Sequence, residues 1–206
     1  MKVGEIKIEA IKLMFTNYAF DISIADLQTQ ISDENYGSYI VNMNGAISRA
    51  LDRIENACVV PTKTRLITSN ELVVGKNYSR FDLSKIEDLF IIDRISAEYE
   101  NGEYDSNIAY ELEGNELLLE NANAELRIIY YPKIKTMDDT VKDTDDMWIP
   151  DNISRLIPYF IKGDLYQEEE PNLAADARNI FEASLDDLKM QNQSKQNYIH
   201  QVYKIG

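Results

Sequence analysis

The sequence predicts an α+β protein. Its core is a helical bundle of N-terminal helices plus a C-terminal helical hairpin, carrying an inserted antiparallel β-sheet or sandwich lobe and ending in an extended C-terminal tail. Apolar residues recur every three or four positions in both outer parts of the chain. Period two governs the middle, and the residues after 191 keep neither pattern. The expected divisions are 1–60 for the N-terminal helices, 61–135 for the β-rich insert, 136–148 for an acidic linker, 149–191 for the hairpin and 192–206 for the tail.

Residues 4–16 place Ile6, Ala10, Leu13 and Met14 on one helical stripe, and Ile24, Leu27 and Ile31 predict a short helix from Ser23 to Ile31. The strongest periodicity runs through Tyr36, Tyr39, Ile40, Met43, Ala46, Ile47, Ala50, Leu51, Ile54 and Ala57, which predicts one long helix over about 33–57. Ser32 or Asp33 is placed to accept from its first free amides. Gly37 and Gly45 each weaken that helix by roughly 1 kcal/mol relative to alanine, so a neighbour packed closely against them is expected.

Pro61 ends the helical region. Alternation then appears in Phe81/Leu83, Ile108/Tyr110/Leu112 and Leu126/Ile128/Tyr130, giving about five or six short strands of a small sheet or sandwich. Glu113-Gly114-Asn115-Glu116 is a hairpin signal, and Gly75-Lys76-Asn77 and Asn101-Gly102 punctuate the region in the same way. The bridge from Thr136 to Trp148 is too polar and self-repelling to form a regular element. Asp151 caps a helix through Ile153, Leu156, Ile157, Phe160, Ile161 and Leu165 that Pro158 is expected to kink. After Pro171 a last helix over about 172–190 carries Leu173, Ala177, Ile180, Phe181, Leu185 and Leu188. The tail, with isolated Tyr198, Ile199, Val202, Tyr203 and Ile205, cannot offset its ordering entropy alone, so docking on another chain is expected.

Composition narrows the function classes. With 36 acidic against 21 basic side chains the net charge is −15, which opposes duplex DNA. Two readings remain: solubility, or a surface past which DNA slides without sticking. Cys58 is the sole cysteine, so an internal disulfide, a thiolate zinc site and a CxxC pair are excluded, as fits a reducing cytoplasm. No export signal or membrane-length apolar run is visible, and a soluble protein without membrane partners is expected.

Tyr130-Tyr131-Pro132-Lys133, the acidic bridge, Ile149-Pro150-Asp151, the run from Leu156 to Pro171 and then Ala174 to Phe181 together resemble head-tail connector (adaptor) proteins of tailed bacteriophages. The likeness in the order of parts covers most of the chain, and in residues it is best over 128–190. It implies a homo-oligomeric ring beneath the portal protein, extending the channel through which DNA passes without specific binding. It also implies a lower surface for a neck, head-closure or tail protein, a virion location after assembly in the host cytoplasm, and no cofactor. The tail residues Tyr198, Ile199, Val202, Tyr203 and Ile205 would then clasp the portal.

Chemical alternatives centre on carboxylates. Asp138, Asp139, Asp143, Asp145 and Asp146 crowd one bridge, which reads either as a solvated or lumen-facing linker or as a hard-cation site of a carboxylate-dependent metal enzyme. The glycine and glutamate of an EF-hand loop are not in register. His200 has no placeable nucleophile beside it, Cys58 reads as a small buried thiol, and no GxxxxGK loop exists, so no catalytic or metal residue is assigned. Trp148 is either an interface anchor or a lid on the helical core. Glu168, Glu169 and Glu170 are a charged turn, or a negative band if copies form a ring. With Asp143, Asp145 and Asp146 they are the candidates for inter-subunit or lumen positions.

Overall fold

The computed structural model describes residues 1–15, 22–27, 29–32, 37–76, 78–98, 104–105, 108–120 and 125–202, with the side chains of Gln30, Glu98, Tyr104 and 193–202 left aside. The fold is α+β. It divides into an α-unit, Met1–Val60 with Ile134–Gly206, and a β-unit, Pro61–Lys133.

The α-unit contains α1 (Val3–Met14), α2 (Gly37–Ala57), α3 (Asp151–Ser154), α4 (Ile157–Leu165) and α5 (Pro171–Val202). Helix α1 is buried on more than one side: Val3, Ile6, Ala10 and Ile11 are fully covered, and Lys7 and Ile8 nearly so. Helix α2 buries Ile40, Met43, Ala46, Ile47, Ala50, Leu51 and Ile54, a spacing that confines the apolar side chains to one stripe. On α5 the buried stripe is Ala174, Ala177, Phe181 and Leu185. Each large apolar side chain so covered contributes about 1.5–3 kcal/mol. Phe181 meets Phe160 of α4 edge to face, centroids 5.0 Å apart. A Cβ on Gly163 would lie 2.5 Å from the Arg178 Cγ, so that glycine permits the close approach of α4 and α5.

Several expectations change. The helix expected at 23–31 is replaced by two short 3₁₀ turns, Ile24–Asp26 and Thr29–Ser32, where local side-chain bonds compete with a helix: Asp26 accepts from the Ser23 N–H and hydroxyl, and the Thr29 hydroxyl donates to the Asp26 carbonyl. Instead of a kink at Pro158 there is a break after Ser154, and Pro158 occupies the first turn of α4, where its missing N–H has no intrahelical acceptor to lose. Gly45 is exposed and faces the Arg49 guanidinium, not a packed neighbour. Residues 33–36, the expected start of the long helix, lie outside the described residues. The backbone expected to be extended from 192 continues as α5 to Val202, since no glycine or proline interrupts 172–202.

The β-unit holds β1 (Lys63–Ile67), β2 (Val73–Val74), β3 (Tyr78–Asp82), β4 (Leu89–Glu98), β5 (Tyr104–Asp105), β6 (Tyr110–Glu113), β7 (Glu116–Glu120) and β8 (Glu125–Pro132). They form two antiparallel sheets, ordered β1-β8-β4-β5 and β2-β3-β7-β6. Both sheets contribute to one core, with Ile67, Ile95, Leu126 and Ile128 from the first and Phe81, Leu117 and Leu119 from the second. Alternation explains the split: in β7, Leu117 and Leu119 point inward and pair across the ladder with Phe81 and Ser79 of β3. Gly114 opens the two-residue β6–β7 loop at φ +61°, a conformation glycine adopts without steric cost. The two shortest strands, β2 and β5, carry too few residues for sequence alternation to reveal them. Asn77 and Asn101-Gly102 lie outside the described residues.

Candidate functional site

Helix α1 begins with amides that have no partner within the helix, and the acidic bridge supplies the acceptors. The Val3 N–H donates to the Asp145 carbonyl at 3.0 Å and the Gly4 N–H to the Asp143 carbonyl at 2.8 Å. A Cβ on Gly4 would stand 2.9 Å from that same Asp143 carbonyl, which explains a glycine in the first turn. Lys2 and Asp146 form an antiparallel bridge, and the Met147 N–H donates to the Met1 carbonyl at 2.9 Å. The bridge is therefore a clasp around the start of α1.

One ion pair locks the clasp. The Lys7 ammonium donates to Asp143 at 2.6 Å, with the two side chains only 6% and 13% exposed. Lys7 escapes a sequence reading because Glu5, Glu9 and Lys12 also punctuate α1 and are exposed, so its charge looks like one more solvent-facing position; the available signal was a lysine set between Ile6 and Ile8. Two further carboxylates of the bridge hold local structure. Asp145 accepts from the Lys142 N–H at 2.9 Å, and Asp138 accepts from the N–H and hydroxyl of Thr140, which hold its carboxyl below the usual range. Among the described residues no three histidine, cysteine, aspartate or glutamate side chains converge as a metal site would require.

Trp148 is half-buried, with the Lys135 ammonium 5.3 Å from its ring centroid, a cation–π contact that covers the indole face. Glu168, Glu169 and Glu170 are exposed on the turn between α4 and α5. Glu169 accepts from the Tyr39 hydroxyl. Tyr39, Phe15 and Tyr166 form an edge-to-face trio with centroids 5.4–6.3 Å apart. Burial pushes the Tyr39 hydroxyl far up from its ordinary value, with the Glu169 hydrogen bond second, so both tyrosines of the trio stay neutral donors; Tyr166 donates to the Met14 carbonyl at 2.6 Å.

No family model matches the chain, and no curated protein matches it.

Beyond the clasp, the sequence-derived candidates are not gathered into one place. Asp143, Asp145 and Asp146 share the clasp, whereas the three glutamates lie on the α4–α5 turn. The side chains of Tyr198, Ile199 and Val202 are outside the described residues, as are Tyr203 and Ile205. A cavity of about 750 Å³ opens beside the clasp, lined in part by Lys2, Ile24, Asn44 and Lys142, but Lys7 in its wall is engaged by Asp143. Among the described residues no helix is long and apolar enough to cross a membrane. Apolar side chains are instead exposed on α5, at Leu173, Ile180 and Met190, and on the β-unit, at Val73, Val74, Ile91 and Leu112.

Proposed function

We propose that the chain is a structural subunit of a phage-type neck: a head-tail connector that forms a ring under a portal protein, prolongs the DNA channel and offers its lower face to a neck or tail component. It acts through packing and electrostatics and not through bond chemistry. The observation that carries the reading is α5. At 32 residues it is about 48 Å long, against about 14 Å for the nine-residue α4 beside it. It also carries two apolar faces, the buried Ala174, Ala177, Phe181 and Leu185 and the exposed Leu173 and Ile180. A helix that outruns its partner and keeps a second apolar stripe is suited to contact with another copy or another protein. The net charge of −15 suits a channel wall that DNA passes without adhering.

The reading is tested by mixing the purified chain with its portal protein and following mass by light scattering and shape by negative-stain imaging. A ring or a stoichiometric complex is expected, lost in Leu173→Asp/Ile180→Asp at unchanged helicity. A chain that remains monomeric with the portal present overturns it.

A further inference from the structure

The β-unit carries an unfinished sheet edge with a defined chemistry. Strand β6 pairs with β7 on one side, and among the described residues nothing pairs on the other. The two-residue loop closes between Glu113 and Glu116. In such a hairpin the closing pair is hydrogen-bonded, so Glu113 and Glu111 aim their backbone groups at β7. Tyr110 and Leu112 therefore aim theirs outward. The side chains follow the opposite logic. Tyr110 and Leu112 lie across the ladder from Leu119 and Leu117, which are fully buried, yet are themselves 40% and 56% exposed. They are inward-facing residues that the described residues of the β-unit leave uncovered.

Beneath them runs a groove of about 520 Å³ between β6 and the first half of β4, walled by Ile86, Leu89, Ile91, Tyr110 and Leu112. Among the described residues two open edges thus border one groove, but they differ. Strand β4 carries register shifts in its ladder with β8, between Leu89 and Ile91 and between Ile92 and Arg94, and such bulges bend and twist a strand in a way that blunts strand addition at its free edge. The β6 ladder is regular throughout. On the outward face Glu111 and Glu113 are exposed, and among the described residues neither forms an ion pair. Glu87 and Lys133 in the groove wall carry one charge of each sign, so any preference for sign comes from β6 itself.

We propose that the Tyr110–Glu113 edge accepts an added β-strand from a partner protein whose extended segment alternates apolar with basic side chains. The apolar ones would fill the groove beside Tyr110 and Leu112, and the basic ones would stand opposite Glu111 and Glu113, where a cross-strand pair of unlike charge is favourable. A second copy offering the same strand would set glutamate against glutamate, and so is disfavoured. The inference rests on the β-unit alone and does not need the ring.

The test titrates the full chain with two end-blocked peptides of about six residues, a usual strand length: one alternating valine with lysine, the other valine with glutamate. The lysine peptide is expected to bind roughly tenfold tighter, two favourable charge pairs replacing two unfavourable ones, with amide shifts confined to β6 and the groove. Leu112→Pro removes an outward N–H from an edge strand, a position where proline is tolerated, and should abolish binding at an unchanged unfolding temperature. Glu111→Lys/Glu113→Lys, which leaves the backbone intact, should invert the preference and serves if the proline variant does not fold. Equal affinity for both peptides, no binding, or dimerisation of the chain through this edge each overturns the proposal.

Discussion

The two units close in different ways. The β-unit is one contiguous stretch, and its described core residues all fall within 61–133. The α-unit is discontinuous: α1 and α2 come from one end of the chain, α3 to α5 from the other, and Lys7 meets Asp143 across 136 positions. Its exposed ion pairs, Arg49 with Asp164 and Arg53 with Glu182, also bridge the two chain segments, but at such exposure each contributes at most about 1 kcal/mol. Apolar burial and the clasp must hold the segments together. A contiguous unit can close by itself, whereas a split one waits for both of its parts and bears the larger closure entropy.

That contrast is broken most sharply by emptying one core at a time. Phe81→Ala in the β-unit and Phe181→Ala in the α-unit should each cost about 3–5 kcal/mol, and each should shift a separate unfolding transition. Trp148, the single tryptophan, belongs to the α-unit. Its fluorescence midpoint in urea should therefore fall with Phe181→Ala and stay put with Phe81→Ala, while circular dichroism registers both. Coincident shifts in both probes for both variants would mean one cooperative block.

A second variant sharpens the role of the clasp. Lys7→Ala leaves Asp143 without its nearly buried cation, and about 3 kcal/mol of α-unit stability should be lost, read from the same fluorescence curve. Lys7→Met combined with Asp143→Leu should recover most of that loss. If the double variant is as weak as the single one, the backbone bonds of the clasp and not its ion pair depend on Asp143.

The smallest effect separates the units by pH. In the β-unit the Lys63 ammonium, and after it the Tyr130 hydroxyl, hold the Asp88 carboxyl below its usual range, while burial and Asp88 push Tyr130 up to about 12. A carboxyl lowered by folding stabilises the fold above its unfolded value of about 3.9, and that contribution disappears as pH falls through the lower, folded value. Asp88→Asn should therefore weaken the β-unit at pH 7 by less than about 1 kcal/mol, the side chain being partly exposed and screened. The difference from the parent should shrink below about pH 4 in thermal melts.

The legible parts of the fold are those written in side-chain periodicity. The stripe from Ile40 to Ile54 and the alternation of Leu126, Ile128 and Tyr130 each mark an element and its buried face. What escaped depends on the backbone. The bridge 136–148 reads as a linker because its side chains are acidic, yet two of its carbonyls, at Asp143 and Asp145, accept from the first turn of α1. A carbonyl is present at every residue, so no composition distinguishes it. Pro158 was readable as a disturbance but not as a helix start, because the break at Arg155 and Leu156 depends on how α3 and α4 pack. The open edge at β6 was visible only as a hairpin, since pairing on one side or two is a property of the assembled sheet.

The way the chain leaves and re-enters the α-unit has a practical consequence. The departing and returning strands β1 and β8 lie side by side, Lys63 opposite Tyr130, and the Ile134 N–H donates to Glu55 at 2.5 Å, close to the end of α2. Domains whose termini emerge together are the ones that tolerate being grafted or exchanged. The junctions after Val60 and before Ile134 are accordingly the places to install a fluorescent protein, a binding module or a short glycine-serine bridge while the helices keep their own packing.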